Sequence, residues 1–279
     1  MPKLEAEISD FLWDALNVHA QVGRQTRDQI VSQALSKYFQ ANANTLYQIS
    51  TSSALVEGVY RGAISISTLR EHGDLGLGTF EDLDGEMVVV DGEVYQALCD
   101  GSVHRVGDEV KTPFAVITKF VPDRVFMVEN CAGFERIRDH LDKVRESKNL
   151  FYAFRVSGKF DSMHVRAVCK TLEGVPLVQA AAVQAEFVYK DLEGTLVGFW
   201  SPEYAKSFSV PGYHFHFLSK DRSKGGHVLD CCAKLLKLES HRESVIAIVL
   251  PETEEFLRAD LTHDPAADLN KAENSLQKK

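Results

Sequence analysis

The run Tyr213-His214-Phe215-His216-Phe217, a polar turn, and then Gly225-Gly226-His227 constrain this chain more than any other stretch. In an extended strand, residues two apart point the same way. His214 and His216 therefore share one face, and Tyr213, Phe215 and Phe217 share the other. Ser219 to Gly226 is rich in turn residues and charges, so the chain reverses there. His227 then opens the neighbouring strand and returns to the histidine face. Three imidazoles converging from a hairpin can hold a divalent metal and leave one coordination position free, which is the ligand count of a catalytic zinc. The competing account is a chance H-x-H pair on a half-exposed strand. The third histidine beside a glycine pair and the aromatic back face weigh against it.

Composition bounds the rest. The 279 residues, 44% hydrophobic and 25% charged, suit one large or two smaller globular domains with a core that needs no staples. The net charge is −9 and no basic patch dominates, which argues against a nucleic-acid partner and against an anionic membrane surface. The five cysteines (Cys99, Cys131, Cys169, Cys231 and Cys232) are odd in number and form no C-x-x-C pattern. The expectation is reduced thiols in a cytoplasmic protein. The N-terminal residues lack a basic-then-apolar signal, and no apolar run approaches the ~20 residues of a membrane span.

Taken in order, residues 8–40 read as a helical hairpin. Ile8, Phe11, Leu12, Ala15 and Leu16 recur at helical spacing, Gly23 suits a C-cap, and Thr26 with Gln29 makes a capping box. Ile30, Val31, Ala34, Leu35, Tyr38 and Phe39 form a second stripe, and Gln40 to Asn44 reads as a linker. The pair is similar to the helices of ribbon-helix-helix DNA-binding proteins. Where those have a basic strand, however, this chain has Glu5, Glu7 and Asp10, so an extension packed on the body or on a second subunit is expected instead.

From Leu46 the pattern turns to strands. Tyr47 to Ser52 is extended, and Ser67 to His72 predicts a short helix. Asp84-Gly85, Asp91-Gly92 and Asp100-Gly101 punctuate three extended runs into a meander. Pro113 to Val121 supplies another strand, and Phe134 to Ser147 a helix. Residues 149–156 and 163–170 predict paired strands joined around Gly158. Residues 186–189 and 195–200 predict a hairpin turning at Leu192-Glu193-Gly194. Residues 228–238 and 245–250 should close a second sheet, and residues 252–260 form a short helix. The polar tail from Thr262 to Lys279 reads as disordered by composition.

Beyond the histidines, four residues are candidates for chemistry. Glu86 opens the Val-Val-Val strand straight after a turn. Thr79 sits in the small-residue run Gly76 to Phe80, where a ligand can approach the backbone. Arg155 and Arg166 lie on the strands preceding the second sheet. Taken singly, each also reads as a rim charge, a capped turn or a surface partner.

Several words of the sequence go further. They are Tyr47-Gln-Ile-Ser-Thr51, Glu57-Gly-Val-Tyr60, His72-Gly-Asp-Leu-Gly-Leu-Gly-Thr-Phe80, Leu83-Asp-Gly-Glu86, Lys111-Thr-Pro-Phe-Ala-Val116, Asn149-Leu-Phe151, Leu196-Val-Gly-Phe199, Gly212-Tyr-His-Phe-His-Phe217 and Gly225-Gly-His227. In this order, from Leu46 onward, the chain resembles bacterial acetolactate decarboxylase. The resemblance does not reach residues 1–44. It implies a Zn2+ carboxy-lyase that converts 2-acetolactate to acetoin and CO2 through a metal-bound enediolate, in acetoin biosynthesis and the butanediol pathway. It implies zinc on His214, His216 and His227, functional roles for Glu86 and for Arg166 rather than Arg155, and a second glutamate, Glu273, from a tail folded back over the metal. It also implies a homodimer. The expected fold is α+β: a helical extension (1–44), a mixed-sheet domain (45–148) and a zinc-binding sheet domain (149–279), with flanking helices. Thr79 is the expected substrate contact. Two other readings of the residues stand beside this one: a cupin-like mononuclear metal enzyme, and a non-catalytic metal-binding regulator built around the N-terminal helices.

Overall fold

The structure, a computed structural model, describes residues 4–23, 25–38 and 44–274. The chain divides into two compact units, the second beginning at Asn44. In the first unit, α1 (Asp10–Gly23) and α2 (Arg27–Tyr38) form the expected hairpin. The capping box is reciprocal: Thr26 N–H donates to Gln29 Oε1 (2.8 Å) and Gln29 N–H donates to Thr26 Oγ1 (3.2 Å). Of the expected linker, residues 40–43 lie outside the described residues.

The second unit begins with β1 (Thr45–Ile49), α3 (Ser52–Val56), β2 (Ile64–Ser65), α4 (Ile66–Arg70) and β3 (Leu75–Thr79). The meander follows as β4 (Glu86–Val90), β5 (Glu93–Ala97) and β6 (Val103–Arg105), then β7 (Lys111–Thr112) and β8 (Ala115–Thr118). Next come β9 (Arg124–Ala132), α5 (Phe134–Val144), β10 (Phe151–Ala167), α6 (Leu177–Ala181) and β11 (Ala185–Ser201). The histidine hairpin is β12 (Gly212–Ser219) and β13 (Gly225–Glu243), and β14 (Val245–Val249), α7 (Glu254–Arg258) and α8 (Ala266–Asn274) complete the chain.

A mixed seven-stranded sheet runs β14-β1-β8-β3-β4-β5-β6, and a five-stranded sheet runs β10-β11-β12-β13-β9. Because β10 also pairs along β13, strands β10 to β13 close on themselves. One apolar cluster joins the two sheets and takes in α3, α6 and α8, with Leu46, Val88, Phe151, Val197 and Leu269 among its members. A second fills the closed strands beneath α5, and a third lies with α4 on the seven-stranded sheet. The fold is α+β, as expected.

Several local expectations are corrected. Of the three Asp-Gly turns, only Asp91-Gly92 has both residues in the left-handed region (φ 53° and 77°). The segments on either side of Gly158 form one 17-residue strand, because β11 and β13 continue their ladders past it. The hairpin expected at Leu192-Glu193-Gly194 is likewise a single strand, β11. Gly194 and Gly198 make room for rings there rather than turning the chain. A Cβ would lie 2.4 Å from the Phe217 ring at Gly194 and 2.3 Å from the Phe215 ring at Gly198. β14 does not close the second sheet but joins the first, parallel to β1. In β3, Gly78 also admits the neighbouring chain: a Cβ on it would lie 2.3 Å from the Phe114 carbonyl. The tail is ordered through α8, where Leu269 and Ala272 are buried. Finally, Cys99 and Cys169, 70 residues apart in sequence, form a disulfide with Cα atoms 5.0 Å apart. The cysteine pattern therefore no longer argues for a reducing compartment.

Candidate functional site

Four strands and one helix bring the site together. His216 on β12 stands directly opposite His227 on β13, and Arg166 on β10 stands opposite His227 from the other side. Glu86, the first residue of β4, comes from the other sheet. Glu273 comes from α8. The aromatic back face of β12 anchors the histidine strand: Phe215 and Phe217 are fully buried, with Phe215 edge-on to Phe134 and Phe217 edge-on to Phe160.

The three imidazoles converge. Their ring centroids lie 4.9 to 5.4 Å apart, and one nitrogen from each falls within 4.8 Å of the other two. Backbone carbonyls fix two of the rings. His216 Nδ1–H donates to the Met87 carbonyl (2.7 Å), which leaves Nε2 as a lone pair. His227 Nε2–H donates to the Glu273 carbonyl (3.1 Å), which leaves Nδ1 buried without a hydrogen-bond partner. His214 Nε2 lies 3.1 Å from His216 Nε2. Burial, reinforced by the Arg166 guanidinium, holds all three pKa values down, that of His216 to about 3. Neutral rings with inward lone pairs are what a metal requires. The orphaned His227 Nδ1 and the facing Nε2 atoms of His214 and His216 fit a borderline-soft divalent cation with nitrogen ligands.

Around the rings sits a charged trio. Arg166, buried, reaches Glu86 (3.5 Å) and Glu273 (2.9 Å). Glu86 Oε2 lies 3.5 Å from His216 Nε2, and Glu273 Oε2 lies 3.4 Å from His227 Nδ1 and 3.7 Å from His214 Nε2. Burial pushes the Glu86 carboxyl up to about 7, against the pull of Arg166 and with the repulsion of Glu273. It also raises Glu273, again against Arg166. The Val168 N–H donates to Glu86 Oε1 (3.4 Å).

Thr79 lines the same cavity, beside Gly78, Leu83 and Phe114, and its hydroxyl donates to the Gly85 carbonyl (2.8 Å). Of the eight residues singled out from the sequence, seven are thus brought together. Arg155 is not among them; it pairs with Asp91 (3.1 Å) and lies over Phe120. What the sequence did not reveal is the backbone contribution. The carbonyls of Met87 and Glu273 and the N–H of Val168 have no side-chain signature.

Residues 46–263 match the family model for alpha-acetolactate decarboxylase. The chain belongs to the alpha-acetolactate decarboxylase family. Alpha-acetolactate decarboxylase from Methanosarcina mazei is 41% identical over 83% of this chain and 81% of the relative. The enzyme of that name from Methylococcus capsulatus is 42% identical over 82% of this chain and 88% of its own. The crystal structure of alpha-acetolactate decarboxylase from Bacillus subtilis strain 168 superposes with a TM-score of 0.80 at 35% identity, covering 83% of this chain and all of that one. Glu273 lies ten residues beyond the end of the decarboxylase family match, so its place in the site rests on the geometry.

Proposed function

We propose that this chain is a zinc-dependent carboxy-lyase that converts 2-acetolactate to acetoin and CO2 in acetoin biosynthesis. It acts as a homodimer on a small-molecule substrate, with no nucleic-acid or membrane partner. The observation that carries the reading is the convergence of three neutral histidine lone pairs beside an arginine held between two buried glutamates. No described helix is long and apolar enough to cross a membrane.

The substrate places a ketone, a tertiary hydroxyl and a carboxylate on adjacent carbons. Loss of CO2 breaks the bond to the carboxylate and leaves its electron pair on the remaining carbons, as an enediolate. His214, His216 and His227 would hold a zinc ion, which would supply a Lewis acid for this negative charge without redox change. Arg166 fixes the substrate anion through its fork of donors. Thr79 and Gly78 of β3 bound the space beside it. Glu86, whose carboxyl can carry a proton near neutral pH, and Glu273 handle the hydroxyl proton and deliver one to carbon, which yields acetoin. The two chain halves, 45–148 and 149–279, exchange strands β9 and β14, and the cleft draws Glu86 from the seven-stranded sheet and Arg166 and the histidines from the five-stranded one.

Acetoin formation by purified protein, with and without a chelator, tests this reading. The expected result is loss of acetoin on metal removal, retention of the fold by circular dichroism, and recovery with zinc. Elemental analysis showing iron, together with oxygen consumption, would point to a cupin-like dioxygenase instead. Near wild-type turnover in all of Glu86→Gln, Glu273→Gln and Arg166→Ala would refute the assigned roles.

A further inference from the structure

We propose that Cys99 and Cys169 are positioning residues, whose disulfide keeps Glu86 aligned with Arg166 across the cleft. The inference rests on the decarboxylase reading, which gives Glu86 and Arg166 their roles, and adds what holds the two together.

Glu86 and Arg166 belong to different sheets, so no shared ladder sets the distance between them. Both also stand where their own ladders run out. Glu86 opens β4, and its pairs with Thr79 and Ala97 are terminal in the β3–β4 and β4–β5 ladders. Arg166 is the last residue of β10 paired with β13, and Ala167 is the last paired with β11. Val168 and Cys169 lie beyond both ladders. The polar contacts that cross to Glu86 are long. Arg166 Nη1 lies 3.5 Å from Glu86 Oε1, and Val168 N–H donates to the same oxygen at 3.4 Å. Contacts of that length are weak, and strand ends are where local opening begins.

The disulfide closes this gap covalently. Cys99 follows Ala97, the strand partner of Glu86, by two residues. Cys169 directly follows Val168. The bond therefore joins the strand beside Glu86 to the segment that carries its two donors. On the other side of Glu86, Thr171 N–H donates to the Asp82 carbonyl (2.7 Å) and Lys170 pairs with Asp82 (3.1 Å). Lys170 is exposed, so water competes for that ion pair. Arg166 needs no disulfide to reach Glu273, which it holds at 2.9 Å. Opening the bond should loosen Glu86 and leave the arginine in place to bind an anion. The expected signature is a fall in kcat with KM little changed. A staple that served stability alone would change neither while the protein stays folded.

Kinetics on the full chain, well below its melting transition and with the fold checked by circular dichroism, test the pair. In Cys99→Ser/Cys169→Ser, kcat for acetoin formation should fall about 10-fold and KM should move by less than about 2-fold. In a Glu86→Gln background the same two substitutions should cost almost nothing more, because the group they misplace is gone. Amide exchange at Val168 should quicken in the double-serine chain, while the amides of β12 keep their protection. Should that chain fail to fold, a water-soluble phosphine opens the same bond in the folded wild type, with zinc in excess. The bond takes up two electrons and two protons, the phosphine becomes its oxide, and the thiol count rises from three to five. An unchanged kcat, a full loss that persists without Glu86, or unchanged exchange at Val168 overturns the inference. So does a count of five thiols in unfolded, unreduced wild type. Absence of acetoin from every chain, wild type included, would refute the decarboxylase reading, and the exchange at Val168 would then decide whether the disulfide holds this segment.

Discussion

Glu243 provides the sharpest quantitative test of how this fold handles burial. It ends β13, its side chain is fully buried, and neither carboxylate oxygen has a hydrogen-bond partner in the described structure. The nearest cationic candidate fails. His241 Nε2 lies 3.8 Å away, but it accepts a hydrogen bond from Asn44 N–H and so has no proton to offer. Burial also holds the His241 pKa down, so the ring is neutral. The Thr118 hydroxyl, which favours the ionised form, already donates to the Thr45 carbonyl. Burial therefore dominates, Asp123 adds repulsion, and the Glu243 carboxyl is pushed up from 4.5 to about 8.

The sign follows from linkage. The folded state binds the proton more tightly than the unfolded state, so the contribution to stability is fully present below pH 4.5 and is lost as pH rises through about 8. At 1.36 kcal/mol for each tenfold change, the gap amounts to roughly 5 kcal/mol. That is a ceiling, because water entering the site relieves part of the penalty. Glu243→Gln removes the charge and keeps the shape. At pH 5 the two proteins should melt together. At pH 9 the Gln variant should be more stable by about 2–4 kcal/mol, a Tm roughly 5–15 °C higher for a unit of this size. Calorimetry at both pH values decides it. A Tm difference that does not change between pH 5 and pH 9, or a Gln variant that melts lower at pH 9, would refute the reasoning.

Two further outcomes follow from the same fold. Ending the chain at Pro265 removes α8 with Leu269, Ala272 and Glu273, and should lower kcat/KM for acetolactate by at least roughly 100-fold while the protein still folds; unchanged kinetics would free Glu273 of any role. Breaking the Cys99–Cys169 bond, which closes a loop of 70 residues, should cost about 4 kcal/mol of stability, seen as a Tm that falls with dithiothreitol in the wild type but not in Cys99→Ser/Cys169→Ser.

How much of this was legible beforehand depends on the range of the interaction. The histidine strand could be read because its information is local: alternation alone puts His214 and His216 on one face and three aromatics on the other. The meander could be read for the same reason. The long strands β10 and β11 could not, because glycine carries two meanings. Gly158 and Gly194 have the composition of turns. Only the partner strand shows that Gly194 exists to seat Phe217. The Cys99–Cys169 bond and the ordered α8 were hidden for a related reason. Both depend on what another part of the chain presents. The tail is polar in composition, yet Leu269 and Ala272 suffice to bury one side of it and carry Glu273 to Arg166. Glu273 was reachable from the sequence only through the family resemblance.

The charge count at the site connects these pieces to its chemistry. With the three histidines neutral, Arg166 contributes one positive charge and the two glutamates two negative ones, so the ionised set sums to −1. A buried surplus of one negative charge is costly in a low-dielectric cleft and explains why burial raises both carboxyls. A divalent cation on the three nitrogens would turn −1 into +1, and an anionic substrate with a single carboxylate would then bring the cleft to neutrality. The same arithmetic disfavours an uncharged ketone, which would leave the surplus in place. It also accounts for Arg166 being held between two glutamates rather than one. With one partner removed, the cleft and its metal would carry +2, enough to hold a carboxylate tightly in the ground state and to resist losing it as CO2.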